Sequence, residues 1–395
     1  MPTHQSPPSP TGGRELLDVL IVGAGQAGLA LGHHLTGGGV NFLLLDAGPQ
    51  IGHAWRSRWD SLRLFSPAQY DSLPGLPFPA PIDTHPSKDD VADYLAAYAA
   101  HFALPVRLNC PVLRLHRDID GTFAATTPAG TLSAKQVVVA TGPFHSPHVP
   151  AIAGRLDPDV MQLHSAEYRN PAQLPGAGRV LVVGAANSGL QIAAELSATQ
   201  PVSVAVGSRP TEVPQRIAGR DVFFWLTRSG FFTVPAHTRI ARRLRERGDL
   251  VIGTRSRRLR RRGVDFRARL TGLTGRTATF ADGSTLAVDA VVWATGYRPD
   301  YSWLHVPGVI DDAGTVRHEA GVTSVPGLYF LGLPWQSCRG SALLGFVGAD
   351  AATLSARMAA DAHLASAHLS SQRHTPQHEP TSQESASAAV SGRSR

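Results

Sequence analysis

Residues Asp18 to Leu35 read DVLIVGAGQAGLALGHHL, an apolar run that passes through a glycine-rich turn into a second run with helical spacing. Gly23 permits the tight turn, and Gly25 lets a backbone approach a pyrophosphate. Gly28 lets the following helix pack closely on the strand. The free N–H groups at the start of that helix attract phosphate. The stretch therefore predicts a dinucleotide site of the Rossmann type.

A second apolar run, Asn41 to Leu45, ends in Asp46, which lies 18 residues after Gly28. A carboxylate at the end of the second strand accepts hydrogen bonds from the ribose hydroxyls of a dinucleotide. The first copy therefore suits a dinucleotide with an unmodified adenosine ribose, such as FAD. The predicted contacts of this site also include Gln26, Ala27 and Ala47.

The same pattern returns at Arg179 to Leu196, which reads RVLVVGAANSGLQIAAEL. Ala replaces the middle glycine, a variation that is tolerated where the helix shifts slightly from the phosphates. The repeat predicts a second dinucleotide site. Its predicted contacts are Gly184, Ala186, Asn187, Ser188 and Gly189.

The two copies differ at the end of the strand that follows each turn. Asp46 lies 23 residues after the first glycine of its turn, and Gly207 occupies the equivalent position in the second copy. Ser208 and Arg209 follow directly. A carboxylate would repel a 2′-phosphate, whereas a guanidinium binds one in bidentate fashion. We therefore predict FAD at the first copy and NADPH at the second.

Short buried strands alternate with glycine-rich turns and amphipathic helices along the chain, which favours a doubly wound α/β architecture. The predicted strands are VLIV, FLLL, VVVA, VLVV, VSVAV, AVVWA and LYFLG. We expect two Rossmann-like domains, with the NADPH domain inserted within the FAD domain. The predicted bounds are a disordered N-terminus at 1–14, an FAD domain at 15–165 and 297–365, an NADPH domain at 166–296 and a disordered tail at 366–395.

Composition excludes several classes of protein. The 395 residues suffice for about two domains, and no apolar run approaches the roughly 18 residues of a membrane helix. The N-terminus lacks the apolar core of a signal peptide, so a cytoplasmic location is expected. Cys110 and Cys338 are the only cysteines, which leaves no disulfide framework, CxxC pair or metal cluster.

Positive charge is concentrated in one segment. The chain has a net charge of +7, and Arg239 to Arg262 includes the stretch RSRRLRRRG. Such a run is typical of a solvated surface, and a peripheral contact with an anionic membrane is the alternative. Because no helix-turn-helix, zinc-finger or RRM pattern is present, we expect no nucleic-acid partner.

These features resemble the two-dinucleotide flavoproteins, and more closely the class B flavin-containing monooxygenases, over roughly residues 16 to 362. The segment GHAWRSRW at 52–59 is similar to the family's GxxW segment along the flavin. VATG at 139–142 and ATGY at 294–297 resemble its two domain crossings, and GSALLG at 340–345 resembles its return to the FAD domain. The resemblance implies cofactor contacts from Trp55, Arg58, Trp59, Thr141, Gly142, Thr295, Gly296, Tyr297 and Leu344.

The chain departs from the family pattern in two places. The fingerprint FxGxxxHSxxY fits only in its second half, which includes His164 and Tyr168, because Pro158 and Val160 replace Phe and Gly. Phe65 stands where animal members carry an asparagine near the flavin. The resemblance then leaves Asn187 and Arg58 as candidate catalytic side chains, with bound NADP⁺ as another stabilising group.

The resemblance implies an NADPH-dependent FAD monooxygenase that uses O2 and oxygenates a small nucleophilic or carbonyl substrate through a C4a-hydroperoxyflavin. The most similar members are bacterial flavoproteins associated with cation efflux or arsenic resistance. One alternative is an NADPH oxidase or flavin reductase without oxygen transfer. Another is a redox-sensing flavoprotein accessory to a membrane transporter. The sequence leaves the substrate and the oligomeric state open.

Overall fold

A computed structural model describes residues 16–176 and 178–373 of the chain. Two mostly parallel sheets form its framework, and each sheet is built around one copy of the repeat. The strands are β1 (Leu16–Val22), β2 (Phe42–Leu45), β3 (Val106–Arg107), β4 (Arg114–Arg117), β5 (Phe123–Thr127), β6 (Gly130–Val139), β7 (Ser146–Pro147), β8 (Met161–His164), β9 (Val180–Val183), β10 (Val202–Ala205), β11 (Thr211–Val213), β12 (Arg216–Ile217), β13 (Arg220–Asp221), β14 (Leu250–Ile252), β15 (Asp265–Arg267), β16 (Leu270–Thr274), β17 (Thr277–Phe280), β18 (Thr285–Ala287), β19 (Ala290–Trp293), β20 (Tyr297–Arg298), β21 (Leu304–His305) and β22 (Leu328–Phe330).

The α-helices are α1 (Gln26–Leu35), α2 (His53–Arg56), α3 (Lys88–His101), α4 (Asn187–Leu196), α5 (Val222–Arg228), α6 (Arg239–Glu246), α7 (Ser256–Arg261) and α8 (Val347–Arg373). Single 3-10 turns span Ala68–Tyr70, Ala151–Arg155, Pro171–Gln173 and Phe231–Thr233.

The first sheet has the order β21-β4-β5-β6-β1-β2-β3, with β22 also paired to β6. Its central strand β1 runs parallel to both neighbours, and Val22 lies beside Leu45 and Val139. The three strands therefore end at one edge, where the first glycine-rich turn, Asp46 and Thr141 come together. Buried side chains on both faces explain why β1 reads as a continuous apolar run.

The second sheet has the order β15-β10-β9-β19-β8, and all its pairings are parallel. Val183 at the end of β9 lies beside Ala205 and Trp293. The second glycine-rich turn therefore shares one sheet edge with the Gly207 turn and with the 294–297 crossing. This arrangement repeats that of the first sheet, and the two sheets confirm the predicted α/β fold with two Rossmann-like units.

The second sheet takes in β8, which begins at Met161, a few residues before the predicted start of the NADPH domain at 166. The difference arises because β8 joins the second sheet by pairing with β19. This pairing is a tertiary contact, which the local sequence around 161–164 does not indicate. β7 and β20 pair with each other where the chain leaves and re-enters the first unit.

The predicted disordered tail from residue 366 needs a correction, because α8 continues to Arg373. The residues at 366–373 read SAHLSSQR and include neither Gly nor Pro, so their sequence contains no helix breaker. The rest of that prediction, and the predicted disordered segment 1–14, lie outside the described residues. Among the described residues, no helix is both long and apolar enough to cross a bilayer.

Candidate active site

The first glycine-rich turn is held by contacts that only glycine allows. Gly23 has φ +110°, and a Cβ there would lie 2.5 Å from the carbonyl oxygen of Ala140. A Cβ on Gly28 would lie 1.9 Å from the carbonyl oxygen of Gly23. A Cβ on Gly25, in contrast, would meet nothing within 4 Å. The protein itself needs Gly23 and Gly28, whereas the open space at Gly25 is available to a ligand.

Asp46 is oriented toward this turn by two backbone groups. Its Oδ2 accepts a hydrogen bond from the N–H of Ala24 at 2.8 Å, and its Oδ1 accepts one from the N–H of Gly48 at 2.7 Å. Each carboxylate oxygen has a further lone pair that can accept a bond from a ribose hydroxyl. The carboxylate therefore lies at the edge of the turn with its orientation already fixed.

The end of β6 supplies a further observation that fits a bound FAD. The hydroxyl of Thr141 is buried and has no hydrogen-bond partner among the described residues. Gly142 follows with φ +73°, and a Cβ there would meet nothing within 4 Å. An orphaned buried hydroxyl beside open space is the arrangement expected where a polar ligand completes the hydrogen bonding.

The second turn repeats the geometry of the first. A Cβ on Gly184 would lie 2.2 Å from the carbonyl oxygen of Ala294, and one on Gly189 would lie 2.1 Å from that of Gly184. Gly25 and Ala186 each precede their helix in extended backbone, with φ −79° and −84°. Because this conformation suits any residue, alanine replaces the middle glycine without backbone strain.

A second arginine, which the sequence did not indicate, lies at the predicted 2′-phosphate site. Arg269 donates from Nε and Nη2 to the carbonyl oxygen of Gly207, at 3.1 and 2.6 Å. It arrives there because β15 pairs with β10 and ends beside it. Ser208 and Arg209 are exposed next to the same carbonyl. The Arg269 guanidinium and the exposed residue Arg209 therefore both lie at the tip of β10, where the first unit carries Asp46.

Arg58 contacts the two crossings between the units. It donates a hydrogen bond to the hydroxyl of Tyr297, and its guanidinium lies 5.2 Å from the Tyr297 ring and 5.7 Å from the Phe144 ring. His164 approaches Tyr297 from another side, with its Nε2 3.0 Å from the carbonyl oxygen of Gly296. Burial lowers the pKa of His164 below its usual value. Both side chains therefore fix the crossing, which accords with an orienting role for His164.

The tryptophans of the 52–59 segment lie in different cores. Trp55 is half-buried against the core of the first sheet, and Trp59 is buried in the core of the second. The segment therefore connects the two units, and the predicted flavin contacts of Trp55, Arg58 and Trp59 stay predictions. The hydroxyl of Thr295 donates to the carbonyl oxygen of His148 and is satisfied by the protein itself.

The C-terminal segment 340–345 lies against the first turn. The amide of Gln26 donates to the carbonyl oxygen of Ala342 at 2.9 Å, and a Cβ on Gly345 would lie 1.9 Å from the carbonyl oxygen of Tyr70. Leu344 is buried in the core of the first sheet. The resemblance placed this segment at the flavin, and the structure brings it to the start of α1.

Asn187 is engaged by the backbone of β14. Its Nδ2 donates to the carbonyl oxygen of Leu250 at 2.9 Å, and its Oδ1 accepts from the N–H of Ile252 at 3.3 Å. This geometry fits a residue that positions the second turn, and the proposed catalytic role stays a prediction. Phe65, at the position of the family's asparagine, stacks on Phe223 at 5.9 Å.

Asp71 is a buried acid that no sequence motif indicates. It is 1% exposed, and Ser66 Oγ donates to its Oδ1 at 2.5 Å. Its Oδ2 has no partner among the described residues. Burial raises the pKa of Asp71 to about 7, although the Ser66 hydrogen bond opposes the rise. The Gly345 backbone lies directly against the backbone of Tyr70 and Asp71, so this loop borders the C-terminal segment that is predicted to lie at the flavin.

Among the described residues, no group of three or more His, Cys, Asp or Glu side chains could hold a metal ion. A cavity of about 390 Å³ lies beside α3, away from both turns. Two of its charged lining residues already have protein partners, since Arg63 donates to the His85 carbonyl and Asp90 caps α3. We therefore place the chemistry at the sheet edges and not in this cavity.

Comparison with known proteins gives consistent matches. A family model described as pyridine nucleotide-disulphide oxidoreductase matches residues 20–223. An uncharacterized CzcO-like oxidoreductase of Geobacillus kaustophilus is 43% identical over 86% of this chain and 97% of its own length. The indole-3-pyruvate monooxygenase YUCCA1 of Oryza sativa is 29% identical over 82% of this chain and 88% of its own length.

A solved flavin-containing monooxygenase from Stenotrophomonas maltophilia superimposes with a TM-score of 0.73 and 30% sequence identity, covering 88% of this chain and 99% of that one. These matches confirm the predicted class, a flavin-dependent oxidoreductase of the monooxygenase type with FAD, NADPH and O2 as its cofactors and co-substrate.

Proposed function

The chain belongs to the pyridine nucleotide-disulphide oxidoreductase family, and within it we propose an NADPH-dependent monooxygenase that transfers one oxygen atom to a small nucleophilic or carbonyl substrate. The observation that carries the proposal is the paired geometry of the two sheet edges. One edge presents Asp46 and the other presents Arg209 and Arg269. The chain has no CxxC pair to act as a dithiol relay, because Cys110 and Cys338 are its only cysteines.

When bound, FAD supplies the chemistry of taking two electrons from NADPH and activating O2. The proposed reaction consumes NADPH, a proton, O2 and the substrate, and it yields NADP⁺, water and the oxygenated product. The protein contributes binding and orientation. Asp46 holds the adenosine ribose of FAD, while Arg209 and Arg269 neutralise the 2′-phosphate of NADPH.

Exclusion of water is the second contribution of the protein, because the activated oxygen must survive until the substrate arrives. The segment 232–236 pairs with 337–340 through backbone bonds, including those of Gly340 to Phe232 at 2.8 Å and of Ala236 to Ser337 at 2.8 Å. An aromatic cluster that includes Phe223 and Phe232 packs against Phe346 and Leu343. These contacts cover the segment that we propose lies at the flavin.

A polar network joins the same cover to the first unit. Gln215 donates from Nε2 to Asp221 Oδ2 at 2.8 Å and to the carbonyl oxygen of Phe65 at 3.0 Å. His85 Nε2 lies 3.1 Å from the same Asp221 oxygen. Because these residues come from both units, they fix the aromatic cover over the first unit.

The rice relative is an indole-3-pyruvate monooxygenase by name, and indole-3-pyruvate is a 2-oxo acid. We therefore propose that 2-oxo acids belong in the first substrate panel, together with amines, sulfides and ketones.

One observation favours a second candidate, an NADPH oxidase that releases hydrogen peroxide. Phe65 replaces the amide that animal members carry, and the amide of Asn187 is bonded to β14. Neither side chain therefore offers a free amide to stabilise activated oxygen. In this case NADP⁺ and the aromatic cover would be the main protection from water.

The test follows three quantities with the FAD-loaded protein and ¹⁸O2: NADPH consumed, hydrogen peroxide released and ¹⁸O found in the product. Monooxygenase activity predicts that one panel member lowers peroxide per NADPH and gains one ¹⁸O atom for each NADPH. Release of peroxide at one per NADPH with every substrate would refute oxygen transfer and support the oxidase. The Gly25→Ala variant, in which we expect FAD affinity to fall at least tenfold, serves as the control with low FAD content.

A further inference from the structure

The 239–262 segment carries a large excess of positive charge, because its arginines far outnumber its acids. The segment holds eleven arginines and two acids, a net charge of +9, which exceeds the +7 of the whole chain. All eleven arginines are exposed. One of the two acids, Asp249, is paired instead with Arg339 at 2.9 Å.

Three of these arginines line one cleft. A cavity of about 130 Å³ lies between α4 and α7, with Ala194 on one wall and Leu259 on the other. Arg255, Arg258 and Arg262 all line it. Their spacing of three and then four residues places them on one face of the α7 segment. The cleft is therefore small, concave and lined by three guanidinium groups.

No carboxylate neutralises these three groups. Among the described residues, none of the three takes part in an ion pair. A nearby acid is Glu212, and its Oε2 accepts a hydrogen bond from the N–H of Ser256 at 3.1 Å. Like charges three and four residues apart destabilise a helix. Repulsion among the three arginines therefore destabilises the protein when the cleft is empty, and a bound anion would remove this repulsion.

The cleft is separate from the predicted NADPH phosphates. Ala194 lies seven residues beyond Asn187 on α4, which is about 10 Å along the helix axis from the second turn. The 2′-phosphate site at the tip of β10 is built from Arg209 and Arg269, which do not line the cleft.

We propose that Arg255, Arg258 and Arg262 form a binding site for a phosphate dianion, either free or as the phosphomonoester of a small molecule or lipid headgroup. A guanidinium presents paired donors that match phosphate oxygens, and three of them around one cleft supply both charge and geometry.

The test is calorimetric titration of inorganic phosphate into the FAD-loaded protein. Saturating NADP⁺ keeps the 2′-phosphate site filled. A parallel titration with sodium chloride at the same ionic strength serves as the salt control. The cleft variant is R255Q/R258Q. The matched control is R257Q/R261Q, which removes two exposed charges from the same helix outside the cleft lining. Circular dichroism and FAD content check that both variants fold.

We expect phosphate binding to weaken about tenfold or more in the cleft variant and by less than about twofold in the control. Absence of phosphate binding in the unmodified protein, or equal weakening in both variants, would overturn the proposal. So would a tenfold loss of NADP⁺ affinity in the cleft variant, since the cleft would then belong to the cofactor site.

A second arm identifies the source of the phosphate. Vesicles of phosphatidylcholine with and without phosphatidic acid are sedimented with the protein and with both variants. Binding to phosphatidic acid that only the cleft variant loses, and that free phosphate displaces, assigns the site to lipid headgroups. Phosphate binding without vesicle binding assigns it to small phosphorylated molecules.

Discussion

Replacing Asp71 by Asn should change how the stability of the protein depends on pH. An ordinary carboxyl has a pKa of 3.8, which burial raises to about 7 at this position. The unfolded chain therefore releases the Asp71 proton at a lower pH than the folded chain does. For an acid with a raised pKa, stability is fully present below about pH 4 and is lost as the pH rises toward about 7. The gap corresponds to about 4 kcal/mol of unfolding free energy.

The D71N variant cannot titrate, yet its side chain has the shape of the protonated acid and can still accept the Ser66 hydrogen bond. We expect the difference in unfolding free energy between D71N and the original protein to shift by up to about 4 kcal/mol in favour of D71N between pH 4 and 8. Urea unfolding of both proteins at each pH measures this difference in unfolding free energy.

The S66A variant is a useful comparison for this prediction. It removes the hydrogen bond that lowers the pKa of folded Asp71, so the stability of S66A should begin to fall near the same pH of about 4 but should continue to fall to a higher pH than in the original protein. A constant difference between D71N and the original protein from pH 4 to 8 would refute the reasoning, because Asp71 would then be titrating as an ordinary exposed acid.

Two further substitutions test the nucleotide sites. In G25A the new Cβ meets no protein atom, so the thermal midpoint of the FAD-free protein should change by less than about 2 °C while FAD affinity falls at least tenfold, as fluorescence titration would measure. Unchanged FAD affinity would place the pyrophosphate elsewhere. N187A removes bonds to Leu250 and Ile252 and should cost about 1–3 kcal/mol of unfolding free energy. Its KM for NADPH should rise more than its kcat falls, and a collapse of kcat alone would indicate a catalytic amide.

The conformations of the two glycine-rich turns were predictable because local sequence determines them. Helix α1 spans Gln26–Leu35 as expected, since the glycine positions follow from contacts within one strand, turn and helix. The apolar strands were also predictable. A strand that is buried on both faces of a parallel sheet requires a continuous apolar run, and such a run is visible in the local sequence.

Features that depend on tertiary pairing were not predictable in this way. Arg269 reaches Gly207 only because β15 pairs with β10. The backbone of Asp71 lies against a segment more than 250 residues later in the chain, at Gly345. In neither case does the local sequence distinguish the residue from an ordinary surface arginine or aspartate.

The most direct test of the division between the two nucleotide sites is the ratio of kcat/KM for NADPH to kcat/KM for NADH, measured in the original protein and in R209A. If the Arg209 guanidinium binds the 2′-phosphate, R209A should lower kcat/KM for NADPH by roughly 5-fold to 150-fold, which corresponds to about 1–3 kcal/mol. The value for NADH should remain almost unchanged. R257A, which removes an exposed arginine from α7 in the same unit, should leave the ratio as it is. An equal loss with both cofactors in R209A would contradict the assignment of the second turn to NADPH.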